Sequence, residues 1–74
     1  MNKMKNTYVV LQFKKDGKYA SLAEKIGNGV NVVAFLSKYE NLWDCEIVES
    51  KKKAEKIAEI QNEIFKKEKM YLYE

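Results

Sequence analysis

The side chains that most often carry out chemistry are scarce in this chain. It has no histidine, the residue whose ordinary pKa suits proton transfer near neutral pH. Neither a Ser-His-Asp nor a Cys-His arrangement can be built. Cys45 is the single cysteine, so zinc-ligand spacing is absent as well. It alternates with apolar positions, and no basic partner lies near it in sequence. A buried structural thiol is the expectation, not a nucleophile. Asp44, Glu46 and Glu49 offer hard oxygen ligands, but without the glycine-pivoted loop of a calcium site. As the charged outer face of a strand they need no cation. Gly27-Asn28-Gly29 could turn amides toward a phosphate, yet the spacing of a P-loop or dinucleotide fingerprint is missing. A loop that needs positive φ accounts for it equally well. No catalytic set, metal or cofactor is expected.

A second group of residues could recognise rather than react. On alternating positions of a strand pair, Tyr8, Gln12, Lys14, Tyr19 and Lys25 would share one surface. Aromatic rings among lysines can stack bases and hold phosphates. The same rings could be buried against a protein partner. The plainer alternatives are a solvated sheet face, or one covered by a short helix or a second subunit. Lys51-Lys52-Lys53 opens a helix, where positive charge opposes the dipole. A run of this kind ordinarily faces water.

The elements that position these residues follow from periodicity. Residues 50–69, SKKKAEKIAEIQNEIFKKEK, place Ala54, Ile57, Ala58, Ile64 and Phe65 on one stripe of a helix. Ser50 is suited to cap its start. Residues 7–14, TYVVLQFK, favour a strand with Thr7, Val9, Leu11 and Phe13 on the core face. Asp16-Gly17 then signals a two-residue type I′ hairpin turn. That turn pairs Lys15 with Lys18, Phe13 with Ala20 and Leu11 with Leu22, a register that keeps apolar residues on one face. On the other face it sets Lys14 beside Tyr19, Gln12 beside Ser21, Val10 beside Ala23 and Tyr8 beside Lys25. A glycine-rich connection leads to a short helix over about 31–39, capped by Asn28 or Asn31. Residues 43–49, WDCEIVE, predict a third strand with Trp43, Cys45 and Ile47 inward and Asp44, Glu46 and Val48 outward. The tail Met70-Tyr71-Leu72-Tyr73 is suited to an edge strand or to covering a core end. The expected order is β-β-α-β-α, with a final β open. This is an α+β two-layer sandwich: an antiparallel sheet of three or four strands with the long helix packed on one face.

With 74 residues, the chain is one domain. A domain this size buries only about 60% of the surface its unfolded chain exposes. Its stability is expected at roughly 4–10 kcal/mol, and a homodimer is one way to add to it. The single cysteine suits a reducing cytosol. No apolar run reaches membrane-spanning length, and the apolar N-terminal patch is broken too early for a signal peptide. A cytoplasmic protein with no membrane partner is the expectation. The net charge of +3 hides a basic hairpin, an acidic middle and a mixed helix. Every basic residue is lysine. The absence of arginine argues against specific base readout while leaving diffuse phosphate contact open.

The stretches TYVVLQFKKDGKYASLAEKIGNGVNVV and SKKKAEKIAEIQNEIFKKEKMYLY resemble small uncharacterised proteins carried by phages and mobile elements of low-GC Gram-positive bacteria. The resemblance covers most of the chain in pattern and length and brings no catalytic motif. It implies a gene neighbourhood of small accessory proteins, some of which block bacterial defence systems, CRISPR effectors included, by binding them. The functional expectation is therefore a non-enzymatic inhibitor that binds a larger host protein or nucleoprotein complex. Its contacts would come from the Tyr8, Gln12, Lys14, Tyr19 and Lys25 face, or from Asp44, Glu46 and Glu49 acting as phosphate substitutes. The alternative is an accessory protein that binds nucleic acid or a nucleotide through the tyrosine–lysine face.

Overall fold

The computed structural model describes residues 7–27 and 30–74. Strands β1 (Thr7–Lys15) and β2 (Lys18–Ile26) form the predicted hairpin. Asp16 and Gly17 both hold positive φ, 53° and 78°, as a type I′ turn requires. The register is the predicted one along its whole length, from Lys15 opposite Lys18 to Tyr8 opposite Lys25. Helix α1 (Val32–Leu36) follows. The Asn31 side chain caps it by accepting the Ala34 amide at 3.1 Å. It is shorter than the predicted 31–39, and Asn28, the other candidate cap, lies outside the described residues. Asn41, at φ 65°, turns the chain into β3 (Leu42–Val48). Helix α2 (Lys51–Lys67) closes the order, capped by the Ser50 hydroxyl, which accepts the Lys53 amide at 3.2 Å.

The sheet is three-stranded and antiparallel, in the order β2-β1-β3. β1 is therefore central and is covered on both sides. Val9, Leu11 and Phe13 join Ile26 in one core cluster, roofed by Phe35, Leu36, Tyr39, Leu42, Cys45 and Leu72. Val10 lies on the other face with Val48, Ala54 and Ala58. Val9, Val10 and Leu11 are all fully buried. The small side chains of Ala54 and Ala58 let α2 approach the sheet closely. Burying both faces of one strand is how a domain this small gathers enough apolar contact.

The long helix, expected on one face with neither face chosen, lies on the Tyr8-Val10-Gln12 face and not on the Val9-Leu11-Phe13 face. In β3 the inward and outward sets are not as predicted. A bulge falls between the partners of Gln12 and Phe13, so Asp44 opposes Gln12 while Leu42 opposes Phe13. Trp43 is the additional residue, and its ring sits beside Tyr19 on the α2 side. Val48, expected outward, is buried against α2, whereas Ile47, expected inward, is 67% exposed.

After α2, Lys69 takes a left-handed φ of 58°. The Met70 amide donates to the Phe65 carbonyl at 2.8 Å and the Lys69 amide to Lys66 at 3.1 Å, a Schellman end that reverses the chain. The tail then crosses the outer edge of β2. The Tyr19 amide donates to Met70 at 2.7 Å, and the Leu72 amide donates to the Tyr19 carbonyl at 2.8 Å. The result is one parallel bridge between Tyr19 and Tyr71 rather than a fourth strand. Leu72 lands on the face opposite α2, so the tail both pairs an edge and covers a core end.

Candidate functional site

The five tyrosine–lysine face residues are brought together, but under α2. Gln12 donates through Nε2 to Gln61 Oε1 at 3.0 Å, and the Ser21 hydroxyl donates to the same oxygen. Tyr19 stacks on Phe65 with ring centroids 5.4 Å apart. Tyr8, Gln12 and Tyr19 are half-buried; Lys14 and Lys25 remain exposed at the margin. The expectation of an open face is thus corrected, and the reason is readable in residue types. Val10, Ala23 and Val48 give that face its own apolar floor, and Gln61 and Asn62 on α2 match the polar Gln12 and Ser21. Such pairing across the chain is invisible to periodicity, which sees each element alone.

What stays open is the β3 side of the molecule. Asp44, Glu46 and Glu49 are exposed there, as are Trp43 (55%) and Ile47 (67%). Asp44 turns its carboxylate onto the adjacent backbone and accepts the Cys45 amide at 2.8 Å. Burial pushes the Cys45 thiol above its ordinary pKa, and the Asp44 charge adds to the effect. Both causes disfavour the thiolate a nucleophile would need. On the flank of α2, Ile60 and Ile64 are half exposed, so apolar and acidic groups alternate over this side. Two large apolar side chains on one edge strand is what sequence reasoning missed. The bulge that exposes Trp43 leaves no signature in residue types.

At the hairpin tip, lysines meet rings. Lys14 Nζ lies 5.6 Å from the centre of the Tyr19 ring and 5.8 Å from that of Trp43. Lys66 Nζ lies 5.0 Å from the Tyr71 ring, and Tyr71 packs edge-on to Tyr73. These distances fit cation–π attraction within the molecule. A cleft lined by Tyr8, Lys25, Lys51 and Glu55 among others encloses about 90 Å³, far less than a drug-sized ligand occupies. A wider depression of about 430 Å³ is an open surface lined by Lys52, Glu55, Lys56 and Glu59 of α2 alone. Among the described residues no three histidine, cysteine or carboxylate groups converge as metal ligands. Gly27-Asn28-Gly29 lies partly outside the described residues. No described helix is long and apolar enough to cross a membrane.

Comparison with protein-family models, with curated proteins and with solved structures finds no match.

Proposed function

We propose that this chain is a non-enzymatic binding protein that docks through its β3 side onto a larger host protein. The observation that supports this reading is the exposure of Trp43 and Ile47 on an edge strand, interleaved with Asp44 and Glu46. The Trp43 ring lies on the α2 side of the sheet with Asp44 and Glu46, and Ile47 projects from the opposite face. The edge thus presents apolar groups beside acidic ones on either side, a make-up suited to a protein contact. The resemblance to phage and mobile-element accessory proteins supplies the partner class: a cytoplasmic host defence or nucleic-acid-processing complex, inhibited by occupation of its surface. Asp44, Glu46 and Glu49 would meet basic groups that normally hold phosphate. The lysine surplus elsewhere restricts any such mimicry to this one side.

The test is a tagged capture from bacterial lysate, with and without nuclease, using the native chain and a variant carrying D44K, E46K and E49K. The expected result is a protein partner that survives nuclease and is lost with the charge reversal. Retention by the triple variant would remove the acidic strand from the contact. The second reading, nucleic-acid binding, draws support from the lysine–aromatic cluster of Lys14, Tyr19, Trp43, Lys66 and Tyr71. It is favoured instead if every captured partner disappears on digestion.

A further inference from the structure

The two outer edges of the sheet are finished differently. The Lys14 amide donates to the Asn41 carbonyl at 2.9 Å, so the even-numbered residues of β1 turn their backbone groups toward β3. By alternation the odd-numbered ones turn toward β2. On β2 the outward-directed residues are therefore Tyr19, Ser21, Ala23 and Lys25. On β3, where Asp44, Glu46 and Val48 oppose even-numbered β1 residues, they are Cys45 and Ile47.

The half of the β2 edge next to the hairpin turn is closed from within the chain. Among the described residues no group pairs with the outward backbone of Ala23 or Lys25, where the positive charge of Lys25 flanks the edge. The tail satisfies both backbone groups of Tyr19. The Asn62 side chain satisfies both of Ser21: Oδ1 accepts the Ser21 amide at 2.7 Å and Nδ2 donates to its carbonyl at 2.9 Å. A primary amide here stands in for a neighbouring strand. The β3 edge has a single cover, the Asp44 carboxylate over the Cys45 amide. Among the described residues no group pairs with the outward Ile47 amide or with the Cys45 and Ile47 carbonyls. The Asp44 cover sits on an exposed side chain one residue away, so it can swing aside without disturbing the fold.

We propose that β3 is an acceptor edge for an extended segment of the partner, and that Asp44 is a displaceable guard over it. This rests on the protein-binding reading above and specifies its geometry. The incoming strand replaces the Asp44 carboxylate as the acceptor for Cys45 and pairs with the exposed groups of Ile47. Charge selects its composition. A second copy of β3 would bring its own Asp44 and Glu46 near those of the first, so self-pairing is disfavoured. A segment alternating lysine or arginine with apolar residues meets Asp44 and Glu46 on one face and Cys45 and Ile47 on the other. Displacing Asp44 is then easiest for a strand that brings a cation to receive its carboxylate.

The probe is a peptide of alternating lysine and valine about seven residues long, titrated into the isotope-labelled full chain. Amide resonances of β3 should move most, at Cys45 and Ile47. Binding should vanish when the peptide backbone is N-methylated at alternate positions, and with D44K and E46K. In the unbound protein, hydrogen exchange at Cys45 should be slower than at Ile47, and D44A should speed it by about tenfold. D44A should also bind an alternating threonine–valine peptide that the native chain ignores. No shift on β3, binding that survives N-methylation, or unchanged Cys45 exchange in D44A would overturn the proposal. A host protein captured by the chain but insensitive to D44A and to competing peptide would overturn strand addition while keeping the binding function. Peptide docking with no host protein captured would do the reverse.

Discussion

Replacing Leu11 by alanine lowers the unfolding free energy by about 2–5 kcal/mol, a large part of the roughly 4–10 kcal/mol a domain of this size commands. Leu11 is fully buried at the centre of the central strand. It packs with Val9, Phe13 and Ile26 beneath Phe35, Leu36 and Tyr39. Its neighbours are strand residues fixed by ladder bonds, so the cavity has little room to collapse. Leu22 makes the control, because it is the cross-strand partner of Leu11 and yet is 42% exposed. Leu22→Ala should cost under about 1 kcal/mol, since much of the side chain already meets water. Urea or thermal unfolding of the two variants reads the difference. Equal costs would mean that the core does not sit where β1 and α1 place it.

The second large effect is expected from a polar residue. Asn62→Ala should cost about 2–3 kcal/mol, because it strands both an N–H and a C=O of buried Ser21, each costly to leave unpaired. Ser21→Ala removes only the hydroxyl bond to Gln61 and keeps the backbone pairing, so its cost should be about 1 kcal/mol. If Asn62→Ala proves milder than Ser21→Ala, water replaces the amide without loss and the β2 edge is not closed in the way described. The same variant should quicken amide exchange at Ser21 while leaving Leu22, bonded to β1, little changed.

Local chemistry made the hairpin legible. Asp16-Gly17 admits one tight turn, and that turn sets every pair up to Tyr8 and Lys25. Ser50 and the spacing of Ala54, Ala58 and Phe65 marked α2 in the same way, and Asn31 marked the start of α1. The order of elements and the antiparallel sheet followed from these. The choice of face for α2 did not, because β1 is apolar on both sides: Val9, Leu11 and Phe13 on one, Tyr8 and Val10 on the other. A central strand carries no alternation to break that tie. The β3 bulge was equally hidden, since it depends on how Asn41 and Leu42 meet Lys14 and Phe13 across the sheet. So Trp43 and Ile47, read from the sequence as core, became the exposed residues on which the docking proposal turns. Asp44, Glu46 and Glu49 were legible as a charged outer strand because carboxylates without partners seek water wherever the strand falls.

The tail that crosses from α2 over Tyr19 to place Leu72 on the opposite face also has a kinetic meaning. The hairpin closes across two residues, whereas this clasp joins Tyr19 to Tyr71 across most of the chain. Loop length hardly separates it from the Ser21–Asn62 contact that seats α2. With α2 seated, only the few residues after Phe65 remain to be placed, and terminal contacts of this kind are among the cheapest to open. A transient excursion of the clasp would bare Tyr19's backbone at the β2 edge and withdraw Leu72 from the Val9-Leu11-Phe13 cluster at the same time. The lifetime of the molecule against clumping would then be governed by how often a few residues let go, well short of complete unfolding.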